Sequence, residues 1–235
     1  ALSGGSGKTI FSVGIIAALK SLGRSVAPFK KGPDYIDMEW LRRGAFHACY
    51  NIDLFLMSRE QVLSSFCVNS RNADIAVIEG NRGLYDGMDV EGNVSTAEIA
   101  KLLKSPVILV VDCTKVTRTV AALVKGCQVM DPEVPIKGVI LNRLAGSRHE
   151  STVRKSVEYY CNVPVVGGIP KLKNMKFPGR HLGLVPPQEH PESEEALRSA
   201  SAVMGEYLDT EAIWRIAQEA NDVDCNRRDE VEHAE

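Results

Sequence analysis

Apolar residues gather in five short runs, each closing in small or polar residues: RSVAPFK (24–30), DIAVIEG (74–80), SPVILVVDCT (105–114), VPIKGVILNR (134–143) and VPVVGGIP (163–170). Runs of this length, apolar at odd and even positions alike, predict strands buried on both faces. The stretches between them change period. Phe11, Ile15, Ala18 or Leu19, and Leu22 recur at helical spacing, and similar patterns occupy about 59–70, 95–104, 117–130 and 147–161. A longer amphipathic pattern with an acidic start, about 192–220, reads as one last helix. Strands separated by helices predict an α/β fold, a mostly parallel, doubly wound sheet with helices on both faces. In such a fold ligands collect beyond the carboxyl ends of the strands.

The chain opens on SGGSGKT, Ser3 to Thr9, directly before the first helix. A full phosphate-binding loop reads GxxxxGK[ST] between a strand and a helix. Gly7, Lys8 and Thr9 supply its end, whereas Leu2 stands at the first glycine position and the glycines fall at Gly4 and Gly5. This is the variant GGxGK[ST] loop, in which successive backbone N–H groups still form an anion nest at a helix N-terminus. It predicts a sheet of the P-loop NTPase type. Gly4, Gly5, Ser6 and Gly7 would cradle phosphate, Lys8 would contact the β- and γ-phosphates, and the Thr9 hydroxyl would bind Mg²⁺. The strand that should precede the loop is expected before residue 1. The domain expected here spans 1–221, and the charged stretch 222–235 reads as a tail or linker.

Composition narrows the function. Of 235 residues, 25% are charged and 44% apolar, as in ordinary globular proteins, and the formal net charge of −2 argues against a dedicated nucleic-acid binder. No run is long enough to span a membrane and no signal-peptide pattern starts the chain, so neither nucleic acid nor membrane is an expected partner. Six scattered cysteines (Cys49, Cys67, Cys113, Cys127, Cys161 and Cys225) form no CxxC pair and are expected to be reduced, mostly buried thiols. A cytoplasmic location follows from these readings.

The variant loop occurs in ParA/MinD-like switch ATPases, in nitrogenase-type iron proteins and in ATP-dependent carboxylate ligases. The first two usually carry a signature lysine where this chain has Ser3, which favours the ligases. PFKKGPDYIDMEW (28–40) and IEGNRGLYDG (78–87) each follow a predicted strand and project at the same sheet edge as the loop. Together with NID (51–53), ILNR (140–143) and RHLGL (180–184), in order over about 3–186, they make the chain resemble the ATP-binding synthetase domain of the cobyrinate a,c-diamide synthase family. The resemblance implies a cobalamin-biosynthesis ligase that amidates peripheral carboxylates of a corrin-type tetrapyrrole. ATP would activate each carboxylate as an acyl phosphate, and ammonia would come from glutamine. A dethiobiotin synthetase-like ligase and a ParA/MinD-like switch are the competing readings.

By the resemblance, Thr9, Asp37 and Glu79 hold Mg²⁺. Lys8, Asp34, Asp37, Glu79 and Asp86 serve the chemistry, with Asp34 and Tyr35 placed to contact substrate or the reacting phosphate. Lys30 (or Lys31) neutralises a carboxylate or γ-phosphate, and Tyr35, Arg82 and Tyr85 join Lys30 in the substrate region. Asn142 reads adenine. Each has a plainer alternative: Asp37 as a helix cap, Glu79 as a buried turn acid, Asp86 as a turn residue, Tyr35 as packing, and Arg143, Arg180 and His181 as solvated charges. Asn81-Arg82 and Met38–Leu41 depart from the family's usual loops and leave the tetrapyrrole's identity open. No cysteine sits in a glutaminase-like nucleophile turn, so a glutaminase domain is expected in the full-length protein or in trans. A homodimer is left open.

Overall fold

The computed structural model describes residues 1–172, 179–180, 183–184, 186–189, 192–223 and 225. Helix α1 (Lys8–Ser21) runs directly from the glycine loop. Strand β1 (Val26–Lys31) leads into α2 (Tyr35–Ala45), whose first turn is capped by the Asp34 carboxylate accepting from Asp37 N at 3.0 Å. A three-residue strand, β2 (Tyr50–Ile52), and α3 (Arg59–Ser70) follow. The bounds of α3 reflect a reciprocal cap: Ser58 accepts from Gln61 N while the Gln61 side chain accepts from Ser58 N. The chain continues through β3 (Ile75–Glu79), α4 (Thr96–Leu102), β4 (Val107–Asp112), α5 (Thr119–Met130), β5 (Ile136–Leu144), α6 (Ser147–Cys161) and β6 (Val165–Pro170). A two-residue hairpin, β7 (Gly179–Arg180) with β8 (Gly183–Leu184), and a 3-10 turn (Pro187–Glu189) precede α7 (Ser193–Tyr207) and α8 (Thr210–Gln218).

All ladders among β1 to β6 are parallel, in two three-stranded sheets of order β2-β1-β3 and β4-β5-β6. Both faces of each sheet are covered. Leu109 and Val111 of β4 and Val139 and Leu141 of β5 pack with α5 and α6, while the intervening Val110 and Ile140 pack with Phe11 of α1, Met204 of α7 and Ile213 and Ile216 of α8. Ala27 and Phe29 of β1 face α3 and α4, and Val26 joins α1 and α2 around Trp40. The strands read as continuous apolar runs because alternate residues enter different, equally dry layers. Among the described residues no helix is long and apolar enough to cross a membrane.

Two expectations differ. The single helix over 192–220 is two helices, because Leu208 turns extended (φ −110°, ψ 140°) and Asp209 caps α8 by accepting from Ala212 N. Cys67 and Cys225 form a disulfide across 158 residues of sequence, which corrects the reading of six reduced thiols; Cys49, Cys113, Cys127 and Cys161 are free and buried. Burial pushes the Cys49 and Cys113 thiols up to about 12, so they are inert packing residues. His181, and the stretch 226–235 of the charged tail, lie outside the described residues, as does the Arg180 side chain.

Candidate active site

The glycine loop turns twice through left-handed backbone, at Gly5 (φ +70°) and Gly7 (φ +89°), before α1 begins. The left-handed backbone at Gly7 favours glycine, and a Cβ there would also crowd Asn142 Nδ2 at 3.1 Å. The Lys8 ammonium donates to Ser3 O at 3.0 Å, within the loop itself. Burial lowers the Lys8 pKa, against Glu79, which raises it.

Beside the loop lies a buried charged cluster. Lys30, near the end of β1, and Glu79, at the end of β3, are direct register partners in the parallel ladder. The Lys30 ammonium reaches Glu79 Oε1 at 2.9 Å and Asp37 Oδ2, on the first turn of α2, at 2.8 Å; Asp34 Oδ2 is 4.0 Å away. Thr9 Oγ1 donates to the same Glu79 Oε1 at 2.8 Å. Lys30 and Glu79 are each 2% exposed. Burial alone would lower the Lys30 pKa, but the two carboxylates override it and hold the ammonium protonated. Burial raises the Glu79 pKa, opposed by Lys30.

The other carboxylate oxygen, Glu79 Oε2, is buried without a hydrogen-bond partner. An orphaned carboxylate oxygen in a cluster carrying two acids and one fully buried cation is what a divalent ion would satisfy. Thr9, Asp37 and Glu79 offer oxygen only, the donor type Mg²⁺ takes. Among the described residues no group of three or more His, Cys, Asp or Glu could hold an ion unaided.

The sequence-predicted residues divide accordingly. Thr9, Lys30, Asp37 and Glu79 converge, with Lys8 within electrostatic reach and Asp34 at the rim. Lys30 is enclosed by its acids rather than presented to a substrate. Tyr35 is 61% exposed at the start of α2. Asn142 donates to Ser6 O at 3.0 Å and accepts from Arg143 N, so its amide braces the phosphate loop. Arg82 is exposed in left-handed backbone (φ +44°). Asp86 Oδ2 accepts from Gly83 N at 2.7 Å and closes a turn. Tyr85 is turned inward, its hydroxyl donating to Cys127 O at 2.6 Å.

Sequence reasoning assigned no role to the layer beneath this rim. Asn51 Nδ2 donates to Gly32 O at 2.5 Å and Asp34 O at 3.3 Å, and Asp53, itself buried, pairs with Lys31 at 3.3 Å. Asp112 and Arg143 pair across the ends of β4 and β5, and Arg143 also donates to Gly5 O. The NID string was the available signal, but it gives no partner. Asn51→Ala is expected to cost about 1–2 kcal/mol in denaturant unfolding, the scale of stranded carbonyl acceptors, while ATP affinity by calorimetry stays unchanged.

The sequence profile described as "CobQ/CobB/MinD/ParA nucleotide binding domain" matches residues 1–185. The chain belongs to this family. Within it, the chain is 43% identical over 215 residues to a cobyrinate a,c-diamide synthase of Magnetococcus marinus, covering 92% of this chain and 46% of that protein. It is also 43% identical over 225 residues to a hydrogenobyrinate a,c-diamide synthase of Streptomyces coelicolor, covering 95% and 46%. The chain thus spans about half the length of the curated relatives it matches. The MinD cell division protein of Aquifex aeolicus shares the fold at a TM-score of 0.51 and 15% identity, covering 96% of this chain and 98% of that one. Membership in the nucleotide-binding family accounts for the glycine loop at the carboxyl edge of a parallel sheet.

Proposed function

We propose that this domain is the ATP-dependent amidating half of a cobyrinate a,c-diamide synthase-like ligase. The observation that carries the reading is the buried Lys30–Asp37–Glu79–Thr9 cluster abutting the phosphate loop, with Asp34 and Tyr35 at its rim, in a chain 43% identical to such a synthase. A carboxylate is a poor acyl donor because its oxygen leaves reluctantly. In the proposed reaction a substrate carboxylate oxygen attacks the γ-phosphorus of ATP and ADP departs. Ammonia then attacks the acyl carbon, phosphate leaves with the C–O bond, and the nitrogen loses a proton to give the amide.

The protein's part in such a transfer is positioning and charge neutralisation. The loop N–H groups and Lys8 orient the triphosphate, and Asn142 keeps the loop in shape. Thr9, Asp37 and Glu79 would hold Mg²⁺, which supplies charge neutralisation at the phosphates. Lys30 keeps the two acids together in its absence. Asp34, its backbone carbonyl held by Asn51, faces the substrate side, and Arg82 offers a cation to a polycarboxylate. Ammonia would be delivered by a glutaminase domain in the full-length protein or in trans.

Incubation with Mg·ATP, an ammonium salt and cobyrinate or hydrogenobyrinate should give carboxylate-dependent phosphate release and an amide by mass spectrometry; glutamine should not replace ammonium for this domain alone. ATP hydrolysis indifferent to every tetrapyrrole offered, with no amide formed, would instead favour a MinD-like switch, whose fold this chain shares.

A further inference from the structure

Two large apolar side chains stand in the open where strand β2 ends. The turn that follows it folds on Asp53. The Asp53 carboxylate accepts from Phe55 N at 2.8 Å, and its carbonyl accepts from Leu56 N at 3.2 Å and Met57 N at 2.9 Å. Asp53 is itself fixed, buried against Lys31 at 3.3 Å. Leu54 and Met57 turn inward and pack on the cluster of Phe29, Ile52 and Val62. Phe55 and Leu56 turn outward and are 63% and 61% exposed. A tight turn held by a buried ion pair and two packed neighbours does not let these side chains retreat. Their exposure is a fixed feature of the fold, and adjoining apolar residues held open in this way mark a binding surface.

The neighbouring turns place this pair beside the charged cluster. A Cβ at Gly32, directly after β1, would lie 3.2 Å from Asn81 Nδ2 and 3.7 Å from Asp53 Oδ2. The turns after β2, β1 and β3 therefore stand side by side at the carboxyl edge, in strand order. Asn51 ties β2 to the β1 turn through Gly32 O and Asp34 O, and the exposed Tyr35 follows Asp34. The phosphate loop lies on the far side of this row. Thr9 meets Glu79 at the end of β3, and Ser6 O takes Asn142 on β5.

We propose that Phe55 and Leu56 hold the acceptor of the ligase reaction, packing on the apolar face of a flat polycarboxylate macrocycle while one of its carboxylates reaches past Asp34 to the terminal phosphate of ATP. This seat presupposes the ligase reading above and adds to it the surface that selects the substrate. Chemistry decides the side. In phosphoryl transfer the attacking and leaving oxygens stand roughly in line across the phosphorus. With the triphosphate on the loop and its terminal phosphate against the acids of β1 and β3, ADP departs toward β5. The acceptor then comes in over β1 and β2, the approach that carries Asp34, Tyr35, Phe55 and Leu56. A small carboxylate has nothing to lay on such a shelf, whereas a macrocycle buries ring surface there. Arg82, exposed on the β3 turn, offers a cation to its remaining carboxylates.

The test compares the double variant Phe55→Ser, Leu56→Ser with wild type and with Phe55→Tyr, using hydrogenobyrinate as acceptor and an ammonium salt as nitrogen source. Both side chains are exposed and the hydrogen bonds of the turn come from backbone N–H groups, so circular dichroism should be unchanged. KM for hydrogenobyrinate should rise about thirtyfold or more in the double variant, the scale of leaving two apolar side chains uncovered. The loss should fall on KM rather than kcat, as when binding common to ground and transition states is removed. The Kd for ATP by calorimetry should stay put. Phe55→Tyr keeps the ring and should remain within about threefold of wild type. An unchanged KM in the double variant, with wild type forming amide, overturns the proposal and leaves the ligase reading standing; so does a fall in kcat alone. A wild-type protein that neither binds nor amidates hydrogenobyrinate or cobyrinate overturns both. Loss of a dimer in sedimentation with KM unmoved also overturns it, because the shelf would then belong to a second copy. Should the double variant not fold, Phe55→Ala and Leu56→Ala are read singly, with about fivefold in KM expected of each.

Discussion

Glu79→Gln is expected to cut ATP turnover by about a hundredfold or more while the protein still folds. Glu79 is the pivot of the charged cluster. One of its oxygens takes Lys30 and Thr9, and the other has no partner. Glutamine keeps the shape and one acceptor, so Lys30 retains both an amide oxygen and Asp37. What disappears is the uncompensated negative charge that an incoming divalent ion would neutralise, and loss of a preorganised electrostatic group costs on this scale. Stability should move the other way with pH. Burial raises the folded-state pKa of Glu79 above its ordinary 4.5, so the acid's contribution is fully present below that value and is lost as pH rises through the raised one. The variant should lack this decline. Phosphate release and denaturant unfolding across pH measure the two effects separately; a variant with full turnover would remove Glu79 from the site.

Lys8→Ala is the second large effect. The lysine now spends its ammonium on Ser3 O, a neutral acceptor within its own loop. A triphosphate offers a charged acceptor instead, and charge-assisted hydrogen bonds are worth about 1.5–3 kcal/mol, so affinity for ATP should fall about tenfold to a hundredfold. Turnover should fall further, because the same cation stabilises charge that builds on the transferred group. Calorimetry with ATP and AMP separates the roles: ATP binding should weaken strongly and AMP binding hardly at all, since AMP lacks the phosphates that Lys8 would reach. Equal losses for both nucleotides would mean that the substitution had merely disturbed the loop.

Much of this architecture was legible along the chain. The strands stood out because helices cover both faces of each sheet, so apolar residues fall at odd and even positions alike. The helix over 59–70 was placed from its helical pattern, and the structure shows what sets its start: the reciprocal cap of Ser58 and Gln61, local to four residues. Where the deciding partner is distant, the sequence is mute. β2 has three residues, too few to show a period, and owes its existence to pairing with β1. The break at Leu208 comes from the pull of a strand roughly forty residues earlier on a backbone that would otherwise continue as helix. The glycine loop and the acids of GPDYID and IEG could be named from pattern. That Lys30 would be enclosed by Asp37 and Glu79 could not, since the three lie on different elements. The Cys67–Cys225 link joins a helix to the tail with no spacing rule to announce it.

The short bend at Leu208 has a consequence for how these molecules meet one another. There the chain bridges antiparallel to Gly167, and Asp209 N donates to Val166 O at 2.8 Å, on the side of β6 away from β5. A Cβ at position 167 would fall 2.1 Å from the Leu208 side chain, so glycine is what allows the approach. An open strand edge invites pairing with a neighbour's edge and growth into aggregates. By laying its own backbone across that margin, the protein closes the outer edge of β6 to a neighbour's strand, so that a second molecule cannot extend this sheet at that side.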